Sequence, residues 1–338
     1  MSVKTSKTLQ KLGNFFKKFP VIISMAVVIP SLIYMIANIF TIEEYYYHYY
    51  YDGEFLDINA EKFRITGIKK VANVYQAATM FSYQGGACYE DYYLIVTDNF
   101  ESIIIYNTTN MKVEHVIDTG ITNTDWHCNQ CFFSNDFFSV HDKFPVLYVS
   151  MESQKVLSTI GFRIYQNGGD YYVKKISTFK LHCDDGKGQL YYPNSFYDQQ
   201  TRIMYYVGYT KKDSYKREEG NLLRFYSFYM PDYRTELDGW FTSDCLDMFE
   251  LPAETAAQGG CIINNHLYQT FGNDKDPTRL PTMKVIDLEK KKIVYENTTI
   301  GKDLGIHEEL EHVAINSKGK MYTLGNPFNI YEFEWTDK

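Results

Sequence analysis

The sequence predicts an all-β fold, a β-propeller carried behind an N-terminal transmembrane helix, and three observations point there. Aromatic residues make up 17% of the 338, with 31 Tyr and 23 Phe, a composition suited to pleated, half-buried surfaces. Short β-branched and aromatic runs separated by turn residues fill the chain beyond residue 63, where helical spacing is scarce. One string also recurs, as QGGACYEDYYLIVTD from Gln84 and as QGGCIINNHLYQTFG from Gln258.

The 20 residues from Val21 to Phe40 carry no charge. At about 1.5 Å per helical residue they span roughly 30 Å, the thickness of a bilayer's hydrocarbon core. Pro30 is tolerable in such a helix. Lys4, Lys7, Lys11, Lys17 and Lys18 precede the run and Glu43 and Glu44 follow it, so the excess of positive charge keeps the N-terminus in the cytoplasm. No small-residue cleavage pattern stands near Met35–Ala37, which favours an uncleaved anchor over a removed signal. The run YYYHYYY from Tyr45 to Tyr51 suits an interfacial aromatic belt. The chain therefore divides into a cytoplasmic basic tail (1–20), a transmembrane anchor (21–41), an aromatic juxtamembrane linker (42–62) and a propeller domain (63–338). That domain is expected outside the cytoplasm, in the periplasm or on the cell surface.

Net charge is −8, and the part beyond the tail is more acidic still, with 29 basic side chains (34 less the five lysines) against 42 acidic ones. Such a body repels phosphate backbones, which argues against a nucleic-acid partner.

The strand-like runs include YYLIVTD (92–98), SIIIYNT (102–108), FPVLYVSM (144–151), IMYYVGY (203–209), LLRFYSFYM (222–230) and MKVIDL (283–288). Asn-Gly, Asp-Gly and Lys-Gly clusters punctuate them. Each long copy continues as strand, polar turn and strand, the outer hairpin of a propeller blade. A third copy opens at Glu311 (EHVAINSKGKMYTLG), with weaker openings at His127 (HCNQCFFS) and Tyr192 (YPNSFYDQQTRIMYYVGY). Openings near 84, 127, 192, 258 and 311 are spaced like the roughly 40–50 residues of propeller blades, two of them with insertions. Five blades follow, or six if a long spacing conceals one. The strands around 64–82 are placed to close the ring by completing the last blade.

The first strand of a blade lines the central channel, where backbones crowd, so Gly85–Gly86 and Gly259–Gly260 suit close approach. Gln-Gly opening a blade, with strands such as HLYQTFG and hairpins such as KVIDLEKKKIVY, resembles extracytoplasmic bacterial β-propellers. More loosely it resembles the five-bladed propellers of the glutaminyl cyclotransferase family, over about residues 80–335. That resemblance implies the fold and a site at the channel mouth. The family shows an apolar residue after Gln-Gly, whereas this chain has a second Gly in both copies.

The candidate ligand-binding residues are those at blade openings: Gln84, His127, Asn129, Asn194, Gln258, Glu311 and His312. Amides, imidazole and carboxylate around one axis make a polar pocket for a sugar, a glycan, a peptide end or an ion, and a divalent cation is conceivable in the channel. Inner strands also need polar side chains simply to line a wet channel. His307 and His312 are five residues apart, about 140° out of step on a helix at 3.6 residues per turn, so they do not make the zinc pair that an i, i+4 spacing gives. Glu309 and Glu311 would share a face on a strand, and would be the acid–base pair if the protein is an enzyme.

The Cys128–Cys131 pair admits a redox, half-zinc, disulfide or buried reading, and without a second Cys-x-x-Cys no metal site is assigned. Asn107-Thr108-Thr109 and Asn297-Thr298-Thr299 match the glycosylation sequon. The sequence thus anticipates a membrane-anchored propeller that binds a small ligand or protein partner at the channel mouth. The alternative is a propeller enzyme, cyclotransferase-like or a metal-assisted hydrolase.

Overall fold

A computed structural model describes residues 29–32, 34, 49–50, 55–75, 82–121, 127–153, 156–182, 186–187, 190–212, 220–234, 237–241, 244–253, 256–272, 281–325 and 328–338. Two units are distinguished, 1–49 and 50–338. In the first, residues 29–32 and 34 are helical, while the rest of the expected anchor and all of the basic tail lie outside the described residues. Among the described residues no helix is long and apolar enough to cross a membrane.

In the second unit the blade strands form five sheets, one per blade, antiparallel except for one strand added to blade two. Blade one takes Tyr83–Tyr89, Tyr92–Thr97, Ser102–Asn107 and Lys112–Asp118 from the axis outward. Blade two opens with His127–Phe133, blade three with Tyr191–Asp198, blade four with Ala257–Ile263 and blade five with Leu310–Ile315. These are the five openings that the spacing indicates, and no sixth is needed. The outermost strand of blade five is Arg64–Asn73, which pairs with Asn329–Thr336 from the other end of the chain. The ring closes there.

The two long spacings have separate causes. Blade two carries an extended hairpin, Val156–Asn167 and Asp170–His182. Blade three lends a strand to its neighbour: Leu237–Phe241 leaves the blade and adds in parallel to the edge of Asp170–His182.

Five apolar clusters confirm a wheel, because each is shared by two consecutive blades. Leu94 and Ile105 of blade one pack with Phe133 and Leu147 of blade two. Tyr148 meets Tyr206 between blades two and three, and Phe225 meets Leu267 between three and four. Phe63 joins Tyr268 of blade four and Val313 of blade five. Tyr93 of blade one joins Tyr322 and Ile330 of blade five. An open sandwich would lack this last interface. Phe63 is fully buried and edge-on to Tyr268 and Tyr295, so the segment before the closing strand is itself part of the core.

Candidate functional site

The pairing registers reveal a feature common to all five innermost strands. In blade two, His127 pairs with Glu152 and the next pair is Gln130 with Ser150. Two residues, Cys128 and Asn129, therefore face only one on the partner strand. The same bulge lies between Tyr191 and Asn194, between Ala257 and Gly260, and between Leu310 and Val313, and in blade one just after Tyr83. Bulges re-aim side chains at the rims of rings. Here they put Gln84, Gln258 and Glu311 at one register position, as their sequence contexts suggest. Cys128 and Tyr192 occupy that position in blades two and three. Asn129 is one step deeper, level with His312 and Gly259, and Asn194 two steps deeper, level with Gly86, Gln130 and Gly260.

At the mouth where the inner strands start, the amides and carboxylates meet across blades. The Gln258 amide donates to Glu309 at 2.5 Å and to the Gly272 carbonyl at 3.2 Å. The Gln84 amide reaches Glu311 at 3.5 Å and the Ser82 hydroxyl at 3.4 Å. Glu309 thus turns toward blade four and Glu311 toward blade one. Glu309 precedes the strand and the bulge interrupts it, so the shared face expected of a regular strand is not formed. Glu311, Gln84 and Gln258 are buried. Asn129 is buried too, and its side-chain oxygen has no hydrogen-bond partner in the protein. His127 lies on the rim, its Nδ1 against Asp98. Asn194 is buried in blade three.

His312 sits below this mouth, fully buried. A proton on Nδ1 is donated to the Gln84 carbonyl oxygen at 3.1 Å, which leaves Nε2 to accept from the Tyr93 hydroxyl at 2.6 Å. Burial pulls its pKa down to about 3, so the ring is neutral. A side chain on Gly86 would collide with its Nε2 at 2.2 Å, and one on Gly259 with its Cβ at 2.6 Å. Gly86 and Gly259, one glycine of each doublet, are required because His312 of blade five stands between blades four and one. Gly260 has a local cause, the Tyr268 carbonyl of the adjacent strand standing 2.2 Å from any Cβ.

Gln130 is the central residue that the sequence reading passes over. Its amide donates to the Gly260 carbonyl at 2.6 Å, and its side-chain oxygen accepts from the Gly260 N–H at 2.9 Å. It thereby links blades two and four, which are not neighbours, straight across the axis. The signal available was a second amide next to Asn129, directly ahead of the apolar residues of CNQCFF. The axis is consequently divided, and the through-channel expected from polar inner strands is interrupted. On the far side, where the inner strands end, lies a cavity of about 130 Å³ whose floor includes Gly86, Gln130 and Gly260. None of the sequence-predicted site residues lines it.

Four of the described cysteines lie on innermost strands. Cys128 and Cys131 are buried in the cluster between blades one and two, and burial pushes both thiols well up from their ordinary range, which suppresses the thiolate that redox or metal chemistry needs. Cys88 and Cys261 line the far cavity instead of a closed core. Among the described residues no group of three His, Cys, Asp or Glu side chains is placed to hold a metal ion.

No protein-family model matches the chain, and no curated protein does. Solved structures do. The glutaminyl cyclase of Myxococcus xanthus superposes with a TM-score of 0.45 at 11% identity, covering 81% of this chain and 96% of its own. The PQQ-bound aldose sugar dehydrogenase of Streptomyces coelicolor gives 0.46 at 10%, covering 81% and 98%. A glucose dehydrogenase gives 0.45 at 11%, covering 78% and 98%.

Proposed function

We propose that the protein is a membrane-anchored extracytoplasmic β-propeller that binds a small, donor-rich ligand, such as a sugar or the amino end of a peptide, at the mouth where its inner strands start. The observation that carries this reading is the pair of matched glutamines, Gln84 and Gln258, each holding a blade-five carboxylate at one mouth. An ionised carboxylate offers about four acceptor sites, so the two make this mouth rich in acceptors. The unpartnered oxygen of Asn129 adds another acceptor. A mouth rich in acceptors selects ligands rich in N–H and O–H groups.

Membrane attachment rests on the uncharged run from Val21 to Phe40 and the lysines before it. Alkaline extraction tests it: the full chain stays in the membrane pellet, whereas a chain beginning at residue 42 is released.

Binding is tested by titrating the purified protein with glycans and peptides. The double variant Gln84→Ala, Gln258→Ala should keep its melting temperature within a few degrees and lose at least about ten-fold in affinity. Unchanged affinity in the folded variant would refute the reading. The enzyme alternative draws on the depth of Glu311, which is only 2% exposed and could serve as a general acid or base beside Glu309. Glu311→Gln separates the two: a binding mouth tolerates it within about three-fold, whereas acid–base catalysis falls by roughly a hundred-fold or more.

A further inference from the structure

The cavity on the far side of the Gln130 bridge is built from different residues and takes no part in the reading above. We propose that it is a second binding site, for a small uncharged apolar molecule about the size of one aromatic ring.

The space is made by small side chains at one register level. Cys131, Cys261 and Ala314 each follow directly on the residue that ends the bulge in their blades and Ala87 lies two residues beyond it, pairing with Val149, Tyr268, Tyr322 and Leu94, and all four line the cavity. Larger residues at this level would fill the axis. A cavity of about 130 Å³ is comparable to the roughly 150 Å³ apolar void that takes up one benzene in an engineered protein.

The lining is more apolar than polar and carries no cation to attract an anion. Phe132, Tyr197, Ile262 and Ile315 form its walls, Phe55 and Leu56 reach its rim, and no Lys, Arg or His lines it, whereas the carboxylates of Glu90 and Asp198 do. Of the polar groups at the cavity, the Gln130 amide is engaged, whereas the second Asp198 oxygen is buried with no hydrogen-bond partner. Both ends of the Gln130 amide are held by Gly260, and one Asp198 oxygen accepts from the Gln200 N–H at 2.9 Å. Cys88 and Cys261 keep some accessible surface although protein surrounds them, and the surface they keep is the cavity's. Burial pushes the Cys261 thiol up to about 12 and Cys88 well up, so both stay protonated and present weakly polar S–H groups. The rim is anchored independently of any ligand, since Asn264 donates to Asp57 at 3.0 Å.

The test uses the full chain in detergent and p-cresol as probe, with benzoate as its anionic counterpart. Saturation-transfer NMR reads binding, and alkylation by N-ethylmaleimide followed by peptide mapping reads the thiols. The expected result is saturable p-cresol binding, slowing of Cys88 and Cys261 alkylation by at least about five-fold, and affinity for benzoate at least about ten-fold weaker. Cys261→Phe, or the milder Cys261→Leu, should abolish p-cresol binding with circular dichroism preserved, while Gln84→Ala leaves it unchanged. The proposal is overturned by benzoate binding as well as p-cresol, by p-cresol binding that survives in either folded filling variant, or by alkylation that p-cresol does not slow. Should neither variant fold, the protection of the thiols in the unaltered chain decides the matter alone.

Discussion

Gly86→Ala is the sharpest perturbation of the ring, because a single methyl group is set against a pinned imidazole. The new Cβ would stand 2.2 Å from His312 Nε2, 2.4 Å from its Cε1 and 2.7 Å from a Tyr93 ring carbon. All three are shorter than real carbon contacts, and the ring cannot swing aside cheaply, being fully buried and held at both nitrogens. Overpacking of this kind costs about 1–3 kcal/mol. Displacing His312 also strands the buried Tyr93 hydroxyl, at about 1–3 kcal/mol more. The expected destabilisation is therefore about 2–6 kcal/mol, read as a shift in urea midpoint at constant slope. The cause is isolated by a cycle with His312→Ala, which removes the obstacle: the double variant should recover most of the Gly86→Ala cost, a coupling of at least about 1 kcal/mol. A Gly86→Ala protein within about 0.5 kcal/mol of the parent, or a strictly additive cycle, would refute the placement of His312 against this strand.

Three further outcomes follow from the same geometry. Burial depresses the folded-state pKa of His312 to about 3, against an ordinary 6.5; the unfolded chain takes up a proton that the folded ring refuses, so stability is full above about pH 6.5 and falls as the pH drops toward 3. The His312 contribution to that loss is on the order of 5 kcal/mol, and His312→Gln should flatten urea midpoints measured between about pH 7 and pH 4. Gln130→Ala leaves both Gly260 backbone groups without their cross-axis partner and should cost about 2–4 kcal/mol in the same assay, with amide exchange of Gly260 rising first. Phe63→Ala empties a fully buried site among Tyr268, Tyr295 and Trp335 and should cost about 3–5 kcal/mol in thermal unfolding, although Phe63 lies outside every blade repeat.

The blade openings were legible because turn residues and alternating apolar runs are local signals, and all five innermost strands start within a residue of the positions read from spacing. Ring closure was legible as well, since a strand-like segment stands ahead of the first repeat, where the last blade needs a strand to complete it. What the sequence hid is register. A bulge is a disagreement between two strands about how many residues they contribute, and neither strand shows it alone. For that reason Asn129 and Asn194 read as equivalents of Gln84 but lie one and two steps deeper, and Glu309 and Glu311 read as one face but part toward different blades. Gln130 was passed over because its partner is a backbone on a non-adjacent blade, 130 residues away in sequence. His312 read as a lining residue because polarity alone does not distinguish a group that faces water from one whose two nitrogens are both engaged by protein.

The central claim is a closed five-bladed wheel whose axis is bridged by Gln130, with Gln84 and Gln258 facing one mouth. A crystal structure of the protein measures this directly. The expected density shows Arg64–Asn73 paired with Asn329–Thr336, the Gln130 amide on the Gly260 backbone, and both glutamines beside blade-five carboxylates. An unclosed ring, a sixth blade, or Gln84 and Gln258 turned to opposite ends of the axis would contradict it.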